Sequence, residues 1–348
     1  MRIAEIAPPW TEVPPSSYGG IELIVGQLAD GLAARGHEVT LFASGGSRTL
    51  GNLVSPLPEP PPLEDIGDVW DDAYHSLRSY LEADRADILH DHSTAVGSSL
   101  AALAGKDAAV VHTVHGQLHD RARRHYRLIH EAVHLVAVSE SQRRHAPELR
   151  WAGVVHHAVD LQSHPEPPAK DDFVLFVGRS SPHKGPEVAV DVARRAGVPL
   201  VMVVKRAADE ERGHWDRHVA PLLHGDVEVL EEVSPEEKTA LFGRARATLF
   251  PIRWEEPFGL VMIESMASGT PVLAFPRGAA PEVVCQGVSG FLCRDADEMV
   301  RDLGRVDSLA PDRCRAWVKE RFSTDAMVAS YERLFRSILT SRGPHSGT

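Results

Sequence analysis

The chain has 348 residues, a formal net charge of -12, 43% hydrophobic and 25% charged residues, and three cysteines. That length exceeds one ordinary core and predicts two domains, while the acidic balance argues against a nucleic-acid binder or a lasting partner of anionic membranes. Cys285, Cys293 and Cys314 are too few and too unevenly spaced for a disulfide framework, which suits a cytoplasmic protein.

The first apolar run meets Pro8-Pro9 too early for a secretory signal. No stretch approaches the roughly 18 apolar residues of a membrane span, so no stable membrane anchor is expected.

In chain order, "RIAEIAP" predicts a strand. "GGIELIVGQLADGLAARGH" predicts an amphipathic helix with Ile21, Ile24, Val25, Leu28, Ala29 and Leu32 on one stripe, ended at Gly36. "EVTLFAS" is the next strand. Residues 51–72, proline-rich and acidic, read as a loop. "ADILHDHS", "AVVHTVHG" and "HLVAVSES" are three further strand-then-loop units. Repetition of strand and helix means a parallel sheet covered on both faces.

Residues 162–172, "QSHPEPPAKDD", read as a linker. The pattern then restarts with strand "FVLFVGR", helix "GPEVAVDVARRAG" and strand "PLVMVVK". "SPEEKTALFGRARA" is a helix opened by Ser234 as N-cap, Pro235 at its first position and Glu237 three residues after the cap. Strand "ATLFP", a helix within "WEEPFGLVMIESMASG", strand "PVLAF" and a helical tail from about residue 308 complete the chain.

The expected fold is α/β, with two Rossmann-like doubly wound domains facing across a cleft. Residues 1–161 form the amino-terminal domain and 173–322 the carboxy-terminal one. Residues 323–348 form a last helix packing back toward the amino-terminal domain, then a flexible tail. Ligands in such sheets bind outside the carboxyl ends of the strands. The first strand is not followed by G-x-G-x-x-G but by Gly19-Gly20, which disfavours a dinucleotide oxidoreductase.

Two strand ends carry candidate chemistry. Arg179 and Lys184 lie on the turn after "FVLFVG", where two cations beside a helix start suit a diphosphate; a solvated basic loop is the alternative. In "WEEPFG", Pro257 keeps Glu256 out of the helical region. Phe258 and Gly259 open the helix, where free N–H groups and the positive dipole end welcome an anion, and Gly259 permits close approach. Glu264 follows within the helix, at most about 12 Å from Glu256. On spacing alone, Glu256 and Glu264 either contact a ligand or serve as a first-turn acid and a solvent-facing acid.

Pro257-Phe258-Gly259 between Glu256 and Glu264, with "VGR…HKG", "HTVHG", "AVSES" and "SGTPVLAF…GAAPEVV…GVSGFL", resembles the retaining glycosyltransferases of family 4, which have the GT-B fold. The resemblance spans nearly the whole chain and implies a nucleotide-diphosphate sugar, with a UDP-sugar preferred, as donor co-substrate. It implies neither a resident cofactor nor a metal. It places Arg179 and Lys184 on the diphosphate, Glu264 on the ribose and Glu256 on the donor sugar. The N–H groups around Phe258, Gly259 and Leu260 would meet phosphate or sugar, Gly19 and Gly20 would let their loop close on the diphosphate, and His115 would lie near the sugar and acceptor. One departure stands out: where the family often has Pro-Asn-Gly, this chain has His156-His157-Ala158.

His90 and His92 in "LHDHS" share one strand face with Asp91 on the other, a poor chelate. Asp295-Ala296-Asp297 precedes a helix and reads as an N-cap. The acceptor is expected to be a small molecule, such as a natural-product, amino-sugar or cyclitol intermediate. The acidic run "EPPPLEDIGDVWDD" and the basic run Arg121 to Arg127 read first as solvated surface. The fold also hosts epimerases and phosphorylases; a non-catalytic nucleotide-sugar-binding partner is a reading from another class.

Overall fold

The computed structural model describes residues 1–16, 19–62, 65–103, 108–165, 169–231 and 233–342. The chain divides into two compact units, residues 1–157 joined by the helix that begins at Thr324, and Ala158–Ser323.

The first unit is built on seven strands: β1 (Arg2–Ile6), β2 (Glu38–Phe42), β3 (Asn52–Val54), β4 (Ile88–Asp91), β5 (Ala109–Val114), β6 (His134–Ala137) and β7 (Trp151–Val154). They pair in parallel in the order β3-β2-β1-β4-β5-β6-β7. The central β4 and β5 are buried throughout, as expected of a sheet covered on both faces. Helices α1 (Gly20–Ala34), α2 (Val69–Glu82), α3 (Ala95–Leu103), α4 (Asp120–Ile129) and α5 (Glu140–His145) connect them.

Residues 51–72, expected to be a loop, contain β3 and the start of α2. The reason is that α2 wears its pattern inside out. Trp70, Tyr74, Leu77 and Leu81 are exposed, whereas Asp72, His75, Ser76, Ser79 and Tyr80 are buried. The inward face is partly hydrogen-bonded: His75 Nε2 contacts Ala7 O at 3.0 Å, and Tyr80 donates to Asp91 at 3.1 Å, while Asp72 Oδ1, His75 Nδ1 and Ser76 Oγ have no hydrogen-bond partner. Apolar periodicity therefore points away from the core. Leu63 and Glu64 of the acidic run lie outside the described residues. The whole of the basic run lies on α4, whose only buried residue is Ile129.

The second unit has six strands: β8 (Val174–Arg179), β9 (Leu200–Lys205), β10 (Val227–Leu230), β11 (Ala247–Phe250), β12 (Val272–Ala274) and β13 (Gly290–Leu292). All pair in parallel, in the order β10-β9-β8-β11-β12-β13. Its helices are α6 (Pro186–Ala196), α7 (Asp209–His214), α8 (Pro235–Arg244), α9 (Leu260–Ala267), α10 (Ala280–Val283), α11 (Ala296–Leu303) and α12 (Pro311–Arg321). Ser234 and Glu237 close a capping box at α8, and Asp295 caps α11. Val174, Phe176, Val190, Met202, Leu249 and Leu273 form part of one apolar core.

Residues 162–172, read as a linker, fall inside this second unit; 166–168 lie outside the described residues. Lys170 donates to Gly243 O at 2.8 Å, and Arg244 Nε to Asp171 at 2.7 Å. The chain passes between units at His157–Ala158 instead. The last helix, α13 (Thr324–Arg342), belongs to the first unit. It buries Met327, Val328, Tyr331, Phe335 and Ile338, while the tail expected at 343–348 lies outside the described residues.

In each sheet the strand order reverses once in direction from the first strand. These switch points lie between β1 and β4 and between β8 and β11, the places where doubly wound sheets take ligands.

Candidate functional site

The second unit brings its candidate residues to the β8/β11 switch point. Arg179 is the last residue of β8, and Lys184 follows on the turn before α6. That turn is pressed onto the end of β11: Gly185 has φ 67°, and a Cβ there would lie 2.5 Å from Pro251 O. Only glycine fits.

After β11 the chain runs as a loop through Trp254, Glu255 and Glu256 before α9. Glu256 is 8% exposed. Lys184 Nζ donates to its Oε2 at 2.5 Å, and Trp254 Nε1 to the same oxygen at 2.7 Å. Lys184 also lies 5.3 Å from the Trp254 ring and 5.8 Å from the Phe250 ring, contacts that favour a cation.

A second loop clasps the first. Gly278 N donates to Glu255 Oε2 and Ala279 N to Glu256 O, each at 2.9 Å. Gly278 has φ 56°, and a Cβ there would sit 2.3 Å from both Glu256 N and Glu256 O.

α9 begins at Leu260, two residues later than the expected opening at Phe258. Gly259 is its cap, with φ 88°, and a Cβ there would meet Met262 Cε at 2.7 Å. Phe258 is buried edge-on to Phe322 and anchors the loop by packing. The part of the chain from Glu256 to Gly259 is not helical, so helical rise does not measure the separation of the two glutamates.

Glu264 does not face solvent. It is 8% exposed and accepts a hydrogen bond from Lys238 Nζ of α8 at 2.8 Å. Arg179 is paired with Glu211 of α7, which also accepts from Ala207 N at 2.9 Å. Trp254, Lys238, Glu211 and Gly278 were missed in the sequence. Gly278 carried a signal, since "PRGAAPE" is a glycine turn directly after a strand.

In the first unit, Gly19 and Gly20 stand at the start of α1, and a Cβ on Gly19 would lie 2.8 Å from Pro15. His115 follows β5 and is half-buried. Its Nε2 is 2.9 Å from His92 Nδ1 and its Nδ1 is 3.4 Å from His157 Nε2. Burial, and then the neighbouring His157, hold the His115 imidazole well below its ordinary pKa, so it is neutral near pH 7.

His90 and His92 do share a face, but their third neighbour is Glu5 of β1, which pairs in register with His90. Glu5, His90 and His92 are the one trio of metal-ligating types with closely grouped ligand atoms among the described residues. By residue type the trio could take a divalent cation. Glu5 was missed because a lone glutamate in "RIAEI" gives no sign of which strand it will face.

A hollow of about 570 Å³ in the second unit is lined by Arg253, Glu255, Arg277 and Arg294 among others. Lys184, Glu256 and Glu264 are not in it, and its arginines are paired with Glu187, Glu255 and Glu298.

Two family models match in succession, glycosyltransferase family 4 over residues 18–163 and glycosyl transferases group 1 over residues 160–316. The chain belongs to glycosyltransferase family 4. Among this glycosyltransferase's curated relatives is the phosphatidyl-myo-inositol mannosyltransferase of Mycolicibacterium smegmatis, 29% identical over 93% of this chain and 88% of the relative. The D-inositol 3-phosphate glycosyltransferase of Mycobacterium avium is 33% identical over 50% of this chain and 45% of its own length. Among solved structures, AviGT4, a glycosyltransferase involved in avilamycin A biosynthesis, superposes with TM-score 0.73 at 25% identity over 98% of both chains. The sucrose-phosphate synthase of Thermosynechococcus elongatus shares the fold, with TM-score 0.79 at 20% identity over 98% of this chain and 100% of its own. The architecture is GT-B.

Proposed function

We propose that this glycosyltransferase moves a sugar from a nucleoside diphosphate sugar to a hydroxyl of a small acceptor, with retention at the anomeric carbon. The observation that carries the reading is the Lys184–Glu256 pair at the β8/β11 switch point, with the glycine-capped start of α9 beside it.

When a diphosphate departs from a sugar, negative charge grows on its oxygens. An ammonium has three donors, and Glu256 takes one from Lys184. The others can meet phosphate, with Arg179 and the N–H groups at Gly259 and Leu260 as further donors. Glu256, steadied by Trp254, accepts from hydroxyls of the donor sugar, and Glu264 accepts from the ribose. Gly19 and Gly20 serve the diphosphate, and His115 serves the sugar or acceptor.

A cyclitol is the favoured acceptor, because two curated relatives carry inositol in their names. An epimerase would alter donor without an acceptor, a phosphorylase would need free phosphate, and a non-catalytic binder would turn nothing over. The test is a thermal-shift screen against UDP-, GDP-, ADP- and dTDP-sugars, then incubation of the best donor with myo-inositol and NMR of the product. Stabilisation by one donor and a product with the donor's anomeric configuration are expected. Stabilisation without transfer to any cyclitol or sugar, or an inverted product, would refute the reading.

A further inference from the structure

In the first unit the side chains of two strands converge on one point. β1 and β4 pair in parallel with Glu5 opposite His90, and His92 N donates to Ile6 O at 2.9 Å, which holds His92 in line just beyond β4. Residues two apart share a face, so both imidazoles meet the carboxylate. Glu5 Oε2 lies 3.0 Å from His90 Nδ1 and 3.0 Å from His92 Nε2, and the two nitrogens lie 3.1 Å apart. Glu5 Oε1 is 3.3 Å from His90 Nδ1. All three side chains are fully buried. The rings of Tyr331 and Phe335, on α13, are centred 4.8 Å and 5.3 Å from that of His90.

Hydrogen bonds alone do not fill this triangle. An imidazole nitrogen offers either one N–H or one lone pair, yet each nitrogen here has two neighbours within 3.1 Å. One N–H cannot point along both lines. A cation meets all three atoms at once: bonds of about 2.0–2.2 Å to nitrogen and oxygen set neighbouring donors about 3.0–3.4 Å apart around a four- to six-coordinate ion. Burying a carboxylate costs free energy that a cation beside it offsets.

The surroundings fit as well. A metal-bound imidazole gives the proton on its far nitrogen to an acceptor. His90 Nε2 is 2.8 Å from Thr113 Oγ1, itself 2.9 Å from the Tyr331 hydroxyl. His92 Nδ1 is 2.9 Å from His115 Nε2, and His115 Nδ1 is 3.4 Å from His157 Nε2. A row of groups thus runs from Glu5 to the last residue before the chain leaves the first unit.

We propose that Glu5, His90 and His92 bind one zinc ion, which ties β1 to β4 at their switch point and anchors the row that holds His115. Two imidazoles and a carboxylate able to use both oxygens suit zinc, whereas magnesium prefers six oxygens. The ion is structural. No step of the transfer proposed above passes through it, and the inference stands apart from that reading.

The site is closed, so zinc is loaded as the chain folds. The full chain is produced in zinc-supplemented and in zinc-depleted medium, passed through EDTA to remove loosely held ions, and its metals are measured by mass spectrometry. One zinc per chain is expected from the first medium, with no magnesium. That form should melt about 5–10 °C above the depleted one. Glu5→Gln keeps the shape of the side chain; it should cut retained zinc at least about 10-fold and make its two preparations melt alike. His90→Gln should do the same.

Wild-type protein that holds no zinc from the supplemented medium overturns the proposal, as does a zinc form that melts no higher than the depleted one. So does zinc retained at the wild-type level in Glu5→Gln, which would place the ion elsewhere in a chain with 19 histidines.

Discussion

Gly278→Ala isolates the clasp on the Glu255–Glu256 loop. Two effects separate cleanly, because Gly287 supplies a control. Both glycines have positive φ, 56° and 72°, but a Cβ on Gly287 would meet nothing within 4 Å, whereas one on Gly278 would sit 2.3 Å from two backbone atoms of Glu256. Alanine in the left-handed region costs about 1–2 kcal/mol, so Gly287→Ala should lower Tm by a few degrees, about 2–4 °C per kcal/mol, and leave turnover unchanged. In Gly278→Ala the loop must move as well. That strains the two backbone N–H bonds to Glu255 and Glu256, each contributing about 1 kcal/mol, for a total loss of about 3–4 kcal/mol. A displacement near 1 Å of the Glu256 carboxylate should also cost about 100-fold in kcat. Thermal unfolding of both variants, with initial rates of transfer, reads the two effects. If Gly278→Ala matches Gly287→Ala in turnover, the clasp does not position Glu256.

Lys184→Ala and Glu256→Ala should each reduce kcat/KM by at least about 100-fold, and Glu264→Ala should mainly raise the donor KM; steady-state kinetics distinguishes these patterns, and wild-type turnover in either of the first two would refute the assignment. Trp254→Phe keeps the ring but deletes the donor 2.7 Å from Glu256, and should lower kcat by about 10-fold, a change in free energy of about 1.4 kcal/mol. Stability should also depend on pH. His75 and His157 have pKa values lowered by burial to about 4 and about 3, whereas an unfolded histidine titrates near 6.5. The unfolded state therefore binds more protons below about pH 6.5, and stability falls as pH falls, until the folded imidazoles themselves protonate. Between pH 7 and pH 5 each should remove about 2 kcal/mol; urea unfolding at the two pH values checks this, and equal midpoints would contradict it.

What the sequence revealed depended on how local the cause was. Positions after β8 and β11 were readable because a strand end, a proline and a glycine each act over a few residues. Pro257 keeps Glu256 on a loop whatever the rest of the chain does. Glu264 was undecidable alone, since α9 is apolar on nearly every side, and its partner Lys238 comes from another helix. α2 escaped notice because its buried face is polar and its outer face apolar. The row that starts at Glu5 was invisible for a related reason. Its members come from β1, from positions after β4 and β5, and from the end of the first unit, and only strand order and register make neighbours of them.

The helix that begins at Thr324 has a consequence for how the protein is made. It seals the first unit with Tyr331 and Phe335, both buried and both packed near His90, and Val328 lies where a side chain on Gly31 would have to go. A ribosome delivers those residues about three hundred positions after Gly31. The usual order of synthesis, in which the domain begun first is finished first, is therefore reversed: residues 158–323 can complete their own core while the earlier sheet still waits for its last helix. A message cut short near its end would yield a finished second unit and an unfinished first one, with apolar surface open to chaperones and proteases.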